Sequence, residues 1–236
     1  TTMVTVAVGL LNIYEYTMSY SGTTYSNGYL NNGLYWWSIT PYNSSDVRYV
    51  DYYGDAYNSI YPISAYGVRP SINLKSNVKI VDGDGTLDNP YRLNGDNDTD
   101  LSGTLLNMRY SGEYIRFGTG ENNLYQIVSH ENGTGTKITS TEPLKSGETF
   151  VTSTFGSNTT FSSTNTIGAF LNNDYLNPGN GYLTSEDIEM IEDSTPWYLG
   201  TVGNGVSYKL AKYTNATDNI LTSNVTTAKV GLLRMG

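Results

Sequence analysis

Two runs of alternating carboxylates are the first residues in this sequence with chemistry to offer. Asp82, Asp84 and Asp88 are spaced D-x-D-x-x-x-D in a glycine-rich stretch, and Asp96, Asp98 and Asp100 follow as D-x-D-x-D. Such carboxylates can converge on calcium, which takes several oxygen ligands in flexible geometry. Calcium is therefore the ion this chain would hold, if it holds a cofactor at all. Neither run completes the EF-hand pattern, and a solvated turn is the ordinary explanation of both. Glu186, Asp187, Glu189, Glu192 and Asp193 form a second acidic group. A pair of carboxylates is the minimum for glycoside hydrolysis, but on a helix this many acids read first as a solvated face. His130 is the only histidine. A general base needs an oriented partner and a nucleophile in reach, and nothing near His130 in sequence supplies them. The chain has no cysteine, which excludes disulfides, zinc–thiolate sites and a cysteine nucleophile. These residues give no case for an enzyme.

A denser signal lies in Tyr42–Tyr66. Of these 25 residues, seven are Tyr, four Ser, three Asp and two Asn. A buried core would not choose this alphabet, because each buried hydroxyl, amide or carboxylate needs a partner. A disordered tail would not carry this many aromatics. Recognition loops do use it, since Tyr supplies rigid contact area while Ser and Asn supply adaptable hydrogen bonds. The candidate ligand- or partner-binding residues are Tyr42, Asn43, Ser45, Asp46, Tyr49, Asp51, Tyr53, Tyr57, Asn58 and Tyr61. The bland alternative is a half-buried hairpin packed on a neighbour. Tyr35, Trp36 and Trp37 could stack on sugar rings, although such a triplet is more often core, and Trp37 is expected to be buried.

The elements that would position these residues are mostly strands. The chain has 236 residues, 22 Tyr, 25 Gly and only 15% charged residues, a composition that favours strands and turns. Net charge is −9, so nucleic acid is not an expected partner. No apolar run reaches the ~20 residues that span a bilayer; Met3–Leu11 is too short and alternates like a strand. No signal peptide is visible, and the chain reads as mature or excised from something longer. Strands are expected at 71–81, 114–117, 124–131 and 136–141, and Trp197 is expected in a buried strand after Pro196. Helices are expected over 164–177, capped by Thr164 or Asn165 and burying Ile167, Phe170, Leu171 and Tyr175, and over 184–193, with Ile188 and Ile191 inward. The residues 82–100, rich in Gly, Asp, Asn and Pro, read as a linker. Val8-Gly9-Leu10-Leu11 recurs as Val230-Gly231-Leu232-Leu233, as one period of a tandem array would if cut inside a domain.

The segments Tyr35–Pro41, Asp46–Val50, Tyr66–Pro70, Ser71–Val78 and Asp84–Tyr91 resemble the C-terminal half of a repeated bacterial surface domain. That domain is related to the formylglycine-generating-enzyme branch of the C-type lectin-like fold. YIRFGTGENNLYQIV, TIGAFLNNDYL, WYLGTVG and KVGLL, within Ser111–Leu233, resemble its N-terminal half. The resemblance thus covers most of the chain in permuted order. It implies an α+β, strand-rich, C-type lectin-like fold with two short helices and twisted antiparallel sheets. It divides the chain into residues 1–90 (a C-terminal half), a Gly/Asp/Asn-rich linker at 91–104, and residues 105–236 (an N-terminal half). Formylglycine generation uses a pair of cysteines, so the catalytic function does not carry over. In relatives whose ligand-facing region is diversified by adenine-targeted mutation, varied positions favour Asn, Ser, Tyr, Asp and Ile, the alphabet of Tyr42–Tyr66. The expected role is a non-enzymatic extracellular adhesive or structural repeat of a cell-surface fibre, assembled head to tail with its own copies. The alternative is a soluble lectin-like protein that binds a glycan or a surface protein.

Overall fold

The computed structural model describes residues 3–17, 19, 28–94, 102–131 and 135–198. The expected strand-rich α+β class is the one observed. The first part of the chain supplies β1 (Met3–Val6), β2 (Val8–Leu10), α1 (Ile13–Thr17), β3 (Trp36–Pro41), β4 (Val47–Val50), β5 (Ala56–Ile60), β6 (Ala65–Gly67), β7 (Pro70–Leu74) and β8 (Tyr91–Arg92). The second part supplies β9 (Tyr114–Arg116), β10 (Leu124–Glu131), β11 (Gly135–Ser140), β12 (Lys145–Ser146), β13 (Thr149–Phe150), β14 (Thr152–Thr154), α2 (Thr166–Ala169), α3 (Ser185–Met190) and β15 (Thr195–Tyr198).

These two parts interleave. A six-stranded sheet runs β2-β7-β11-β10-β9-β8, and a five-stranded sheet runs β14-β6-β3-β4-β5. Each sheet contains strands from both sides of residues 91–104, and β1 pairs antiparallel with β15. The segment at 91–104 begins inside the fold: Tyr91 and Leu93 are buried, and Tyr91 pairs with Ile115. The β3–β6 and β8–β9 pairings are parallel, so the sheets are mixed rather than wholly antiparallel.

The helices follow local chemistry. Asn165 caps α2 by accepting from the Gly168 amide at 2.9 Å. Beyond Ala169 the expected α-helix widens into a π-turn at Phe170–Asp174. Asn172 is the physical reason. Its Nδ2 donates to the Gly168 carbonyl at 2.9 Å, the bond its own backbone amide would make in an α-helix. Ile167, Leu171 and Tyr175 are buried as expected. Thr184 and Asp187 form a reciprocal capping box on α3, which assigns Asp187 a structural task. Helix α1 was not expected from the sequence. It opens with the same device: Asn12 Oδ1 accepts from the Glu15 amide and Glu15 Oε2 accepts from the Asn12 amide, each at 3.0 Å.

Glu15 also reaches across the fold. Its other carboxylate oxygen pairs with Lys137 of β11, and both side chains are buried. The Lys137 ammonium lies 4.8 Å from the ring centroid of Trp197. Removing one member of a buried pair leaves an uncompensated charge, which costs about 3–5 kcal/mol. Lys137→Met should lower stability by that amount in urea titration. Adding Glu15→Gln, which keeps the cap on Asn12 and removes the stranded charge, should restore most of it.

Candidate functional site

The tyrosine run folds into two hairpin turns at opposite ends of β4. The first, between β3 and β4, is closed by Asn43. Its Oδ1 accepts from the amides of Ser45 at 2.6 Å and Asp46 at 2.8 Å, and its Nδ2 donates to the Asp46 carboxylate at 2.8 Å. Tyr42 takes the Arg48 guanidinium over its ring at 4.9 Å. The second turn, between β4 and β5, is closed by buried Asp51, whose Oδ1 accepts from the amides of Tyr53 at 3.0 Å and Asp55 at 2.8 Å. Asn43, Asp46 and Asp51 thus hold turns. Tyr61 follows β5 at the same end as the first turn. Asn58 lies in β5, and its side chain is outside the described residues.

Strand register places the rings. Trp37 is opposite Tyr49, and Tyr49 is opposite Tyr57, so all three share one face of β3, β4 and β5. Tyr49 stacks on Tyr66 of β6 at 4.9 Å with an interplanar angle of 8°. Tyr35 stacks on Tyr66 at 5.7 Å and on Tyr49 at 6.3 Å, and Tyr57 leans on Tyr49 at 5.8 Å. Tyr52 lies against both Tyr35 and Tyr53. Exposure rises outward, from 9% at Tyr49 to 43% at Tyr35 and Tyr52, 50% at Tyr57 and 60% at Tyr53. The opposite face of the same strands is dry: Trp36, Val50 and Ala56 pack with Leu11, Ile13, Tyr16 and Val128. Trp36 and Trp37 are both buried, so only Tyr35 of that triplet offers a surface.

The result is a paved tyrosine face that contains the candidates Tyr49, Tyr53 and Tyr57 and adds Tyr35, Tyr52 and Tyr66. Tyr42, Asn43, Ser45, Asp46 and Tyr61 belong to the other end. Tyr52 and Tyr66 lie within the run but were not among the candidates, and Tyr35, considered only with Trp36 and Trp37, directly precedes β3. The signal that finds them is the period of two shared by Tyr35 and Trp37, combined with the strand order.

Asp82, Asp84 and His130 have structural partners. Asp82 pairs with Arg92 at 3.1 Å and accepts from the Gly83 amide at 2.7 Å. Asp84 accepts from the Thr86 amide at 3.0 Å and its hydroxyl at 2.7 Å, and those bonds hold its carboxyl below the usual range. Gly85 sits at φ +82°, and a Cβ there would lie 2.6 Å from the Tyr91 ring; this loop is packed down on Tyr91. Asp88 is exposed. Among the described residues no group of three His, Cys, Asp or Glu is placed to hold a metal; Asp96, Asp98 and Asp100 lie outside them. His130 is half-buried, with Nε2 donating to the Arg109 carbonyl at 2.6 Å and Nδ1 against Thr136 Oγ1 at 3.0 Å. Burial pushes its pKa below the ordinary 6.5.

The profile of a family described as "Domain of unknown function (DUF6273)" matches residues 11–76. That similarity runs from the start of α1 through β7 and takes in the whole tyrosine face. No curated protein and no solved structure matches the chain. No helix among the described residues is long and apolar enough to cross a membrane.

Burial first, and then the neighbouring Tyr66, Asp51, Tyr35 and Tyr57, push the Tyr49 hydroxyl up to about 12 from the ordinary 10. The folded state therefore favours the neutral phenol, while the unfolded chain releases its proton near pH 10. This contribution to stability is complete below pH 10 and is lost as pH rises from 10 towards about 12. Tyr49→Phe should flatten that alkaline fall in part, measured as the urea midpoint against pH. Other raised phenols, among them half-buried Tyr29 and buried Tyr125 and Tyr175, contribute to the remainder.

Proposed function

We propose that this chain is a non-enzymatic extracellular binding or adhesive domain of C-type lectin-like fold, and that its tyrosine face recognises a glycan or a surface protein. One observation carries the reading: six tyrosines, from three strands, a turn and the residue before β3, stack into one surface whose rim is open to solvent. Rings immobilised by their neighbours present contact area at little entropic cost on binding. Aromatic faces stack on sugar rings or on apolar side chains, and the phenol hydroxyls at the rim supply hydrogen bonds. The acids and amides nearest the face close turns, which supports a recognition role over a catalytic one. The low charge and the absence of cysteine fit an extracellular domain held by its core.

The test is to probe a glycan array and a peptide-display library with the full chain. Tyr53→Ala and Tyr57→Ala should each weaken capture at least tenfold while leaving the melting temperature nearly unchanged, because both side chains are half or more exposed. Asn43→Ala, at the far end of β4, should leave capture intact. Capture that is indifferent to both tyrosines, or no capture on either platform, would refute the reading. An array hit identifies the glycan arm and a library hit the protein arm.

A further inference from the structure

The repeated Val-Gly-Leu-Leu has a structural meaning at its first occurrence. Gly9 of β2 lies under the indole of Trp197, and a Cβ on it would come 2.7 Å from Cδ2 and 3.0 Å from Cε2 and Cε3. Trp197 Nε1 donates to the Val6 carbonyl at 3.0 Å, and the ring is buried. Asn172, aimed by the π-turn, accepts from the Val8 amide at 3.1 Å and donates to the Val8 carbonyl at 2.9 Å. On the other edge β2 pairs with β7, Val8 opposite Ile72, Gly9 opposite Ser71 and Leu10 opposite Pro70. Val8, Leu10 and Leu11 are wholly buried.

This slot reads its strand through backbone bonds and apolar shape. It demands a glycine beneath Trp197 and buries the apolar Val8 before it and Leu10 and Leu11 after it. No charged or polar side chain of the strand takes part from Val8 to Leu11. Residues 227–233 meet the same demand: Thr5, Val8, Gly9, Leu10 and Leu11 recur at Thr227, Val230, Gly231, Leu232 and Leu233, five of the seven positions. Ala228 stands in Val6's place and Lys229 in that of half-buried Ala7, where a long stem can carry its ammonium to water.

We propose that the Trp197 slot has two alternative occupants, residues 5–11 and residues 227–233. When residues 227–233 are seated, β1 and β2 are left with an unpaired edge and an apolar face, which a second copy of the same unit can cover in its own Trp197 slot. The joining element is thus a strand of this chain, and its partner is another copy. The proposal does not depend on the tyrosine face.

The chain contains no cysteine, so engineered pairs report without background. In the full chain, Ile72→Cys with Val8→Cys should close a disulfide across the β2–β7 register and serves as the folded control. Ile72→Cys with Val230→Cys should close one only where residues 227–233 occupy the slot. Gly9→Ala, which places a Cβ against Trp197, should shift the ratio of the 230–72 to the 8–72 disulfide at least tenfold towards the former. Adding Gly231→Ala should reverse that shift. On a non-reducing gel, a ladder of linked chains shows the segment coming from a second copy, and a single-chain band shows the chain's own segment displacing β2; both uphold alternative occupancy. The proposal is overturned if no 230–72 disulfide forms either with or without Gly9→Ala. It is equally overturned if Gly9→Ala unfolds the chain to the same extent with and without Gly231→Ala.

Discussion

The buried ammonium of Lys137 is the constraint on which the rest of the structure depends. A lysine this deep is tolerated only with a carboxylate beside it and polarisable surface around it. Glu15 supplies the first and Trp197 the second. The three residues come from α1, β11 and β15, so satisfying one charge joins the beginning, middle and end of the described chain. Around that point β2 is inserted between Trp197 and β7, and the six-stranded sheet grows outward across β11 and β10. A second buried cation does similar work nearby. Arg69 donates to the Ser140 carbonyl and to the Leu30 carbonyl, each at 2.6 Å, and lies 4.7 Å from the Trp36 ring. Burial lowers its pKa to about 10. With Arg69 holding Trp36 on the dry side of the five-stranded sheet, the alternate positions of the same strands are left to form the tyrosine face.

That division explains why so polar an alphabet can be well ordered. Asn43 and Asp51 accept from backbone amides in the two turns, which fixes the β3–β4–β5 register. Register in turn stacks Tyr49 between Tyr66 and Tyr57. Each ring then restricts its neighbour, and the exposed outer rings inherit the rigidity of the buried inner one. A surface built this way is ordered by the sheet rather than by long loops.

Parts of this were legible in the amino-acid sequence because they are local. The strand alternation of 124–131 and 136–141, the Asn165 cap and the Thr184–Asp187 capping box each depend on residues within one turn or one strand. So does the strand-rich class, which follows from the abundance of Tyr and Thr and the scarcity of charge. The burial of Trp197 and Trp37 was equally readable, since large apolar rings flanked by strand-formers seek the core. The exclusion of cysteine chemistry needed nothing but composition.

What only the tertiary structure decided is what depends on distant partners. Asp51 and Tyr53 are neighbours in sequence and have opposite roles, one closing a turn from inside and the other facing water, because pleating and turn geometry separate them. Tyr35 and Tyr66 join the tyrosine face only because β3 and β6 lie side by side. Asp82 and Asp84 alternate like metal ligands in sequence, while the fold gives Asp82 the partner Arg92 and Asp84 the partner Thr86. Asn172 looks like one more helix residue until its amide is found gripping Val8 from 164 positions away. The Val-Gly-Leu-Leu repeat was visible from the outset as a pattern of letters. Its meaning, a glycine shaped to pass beneath a tryptophan, required the fold, because the atom that forbids any other residue belongs to Trp197.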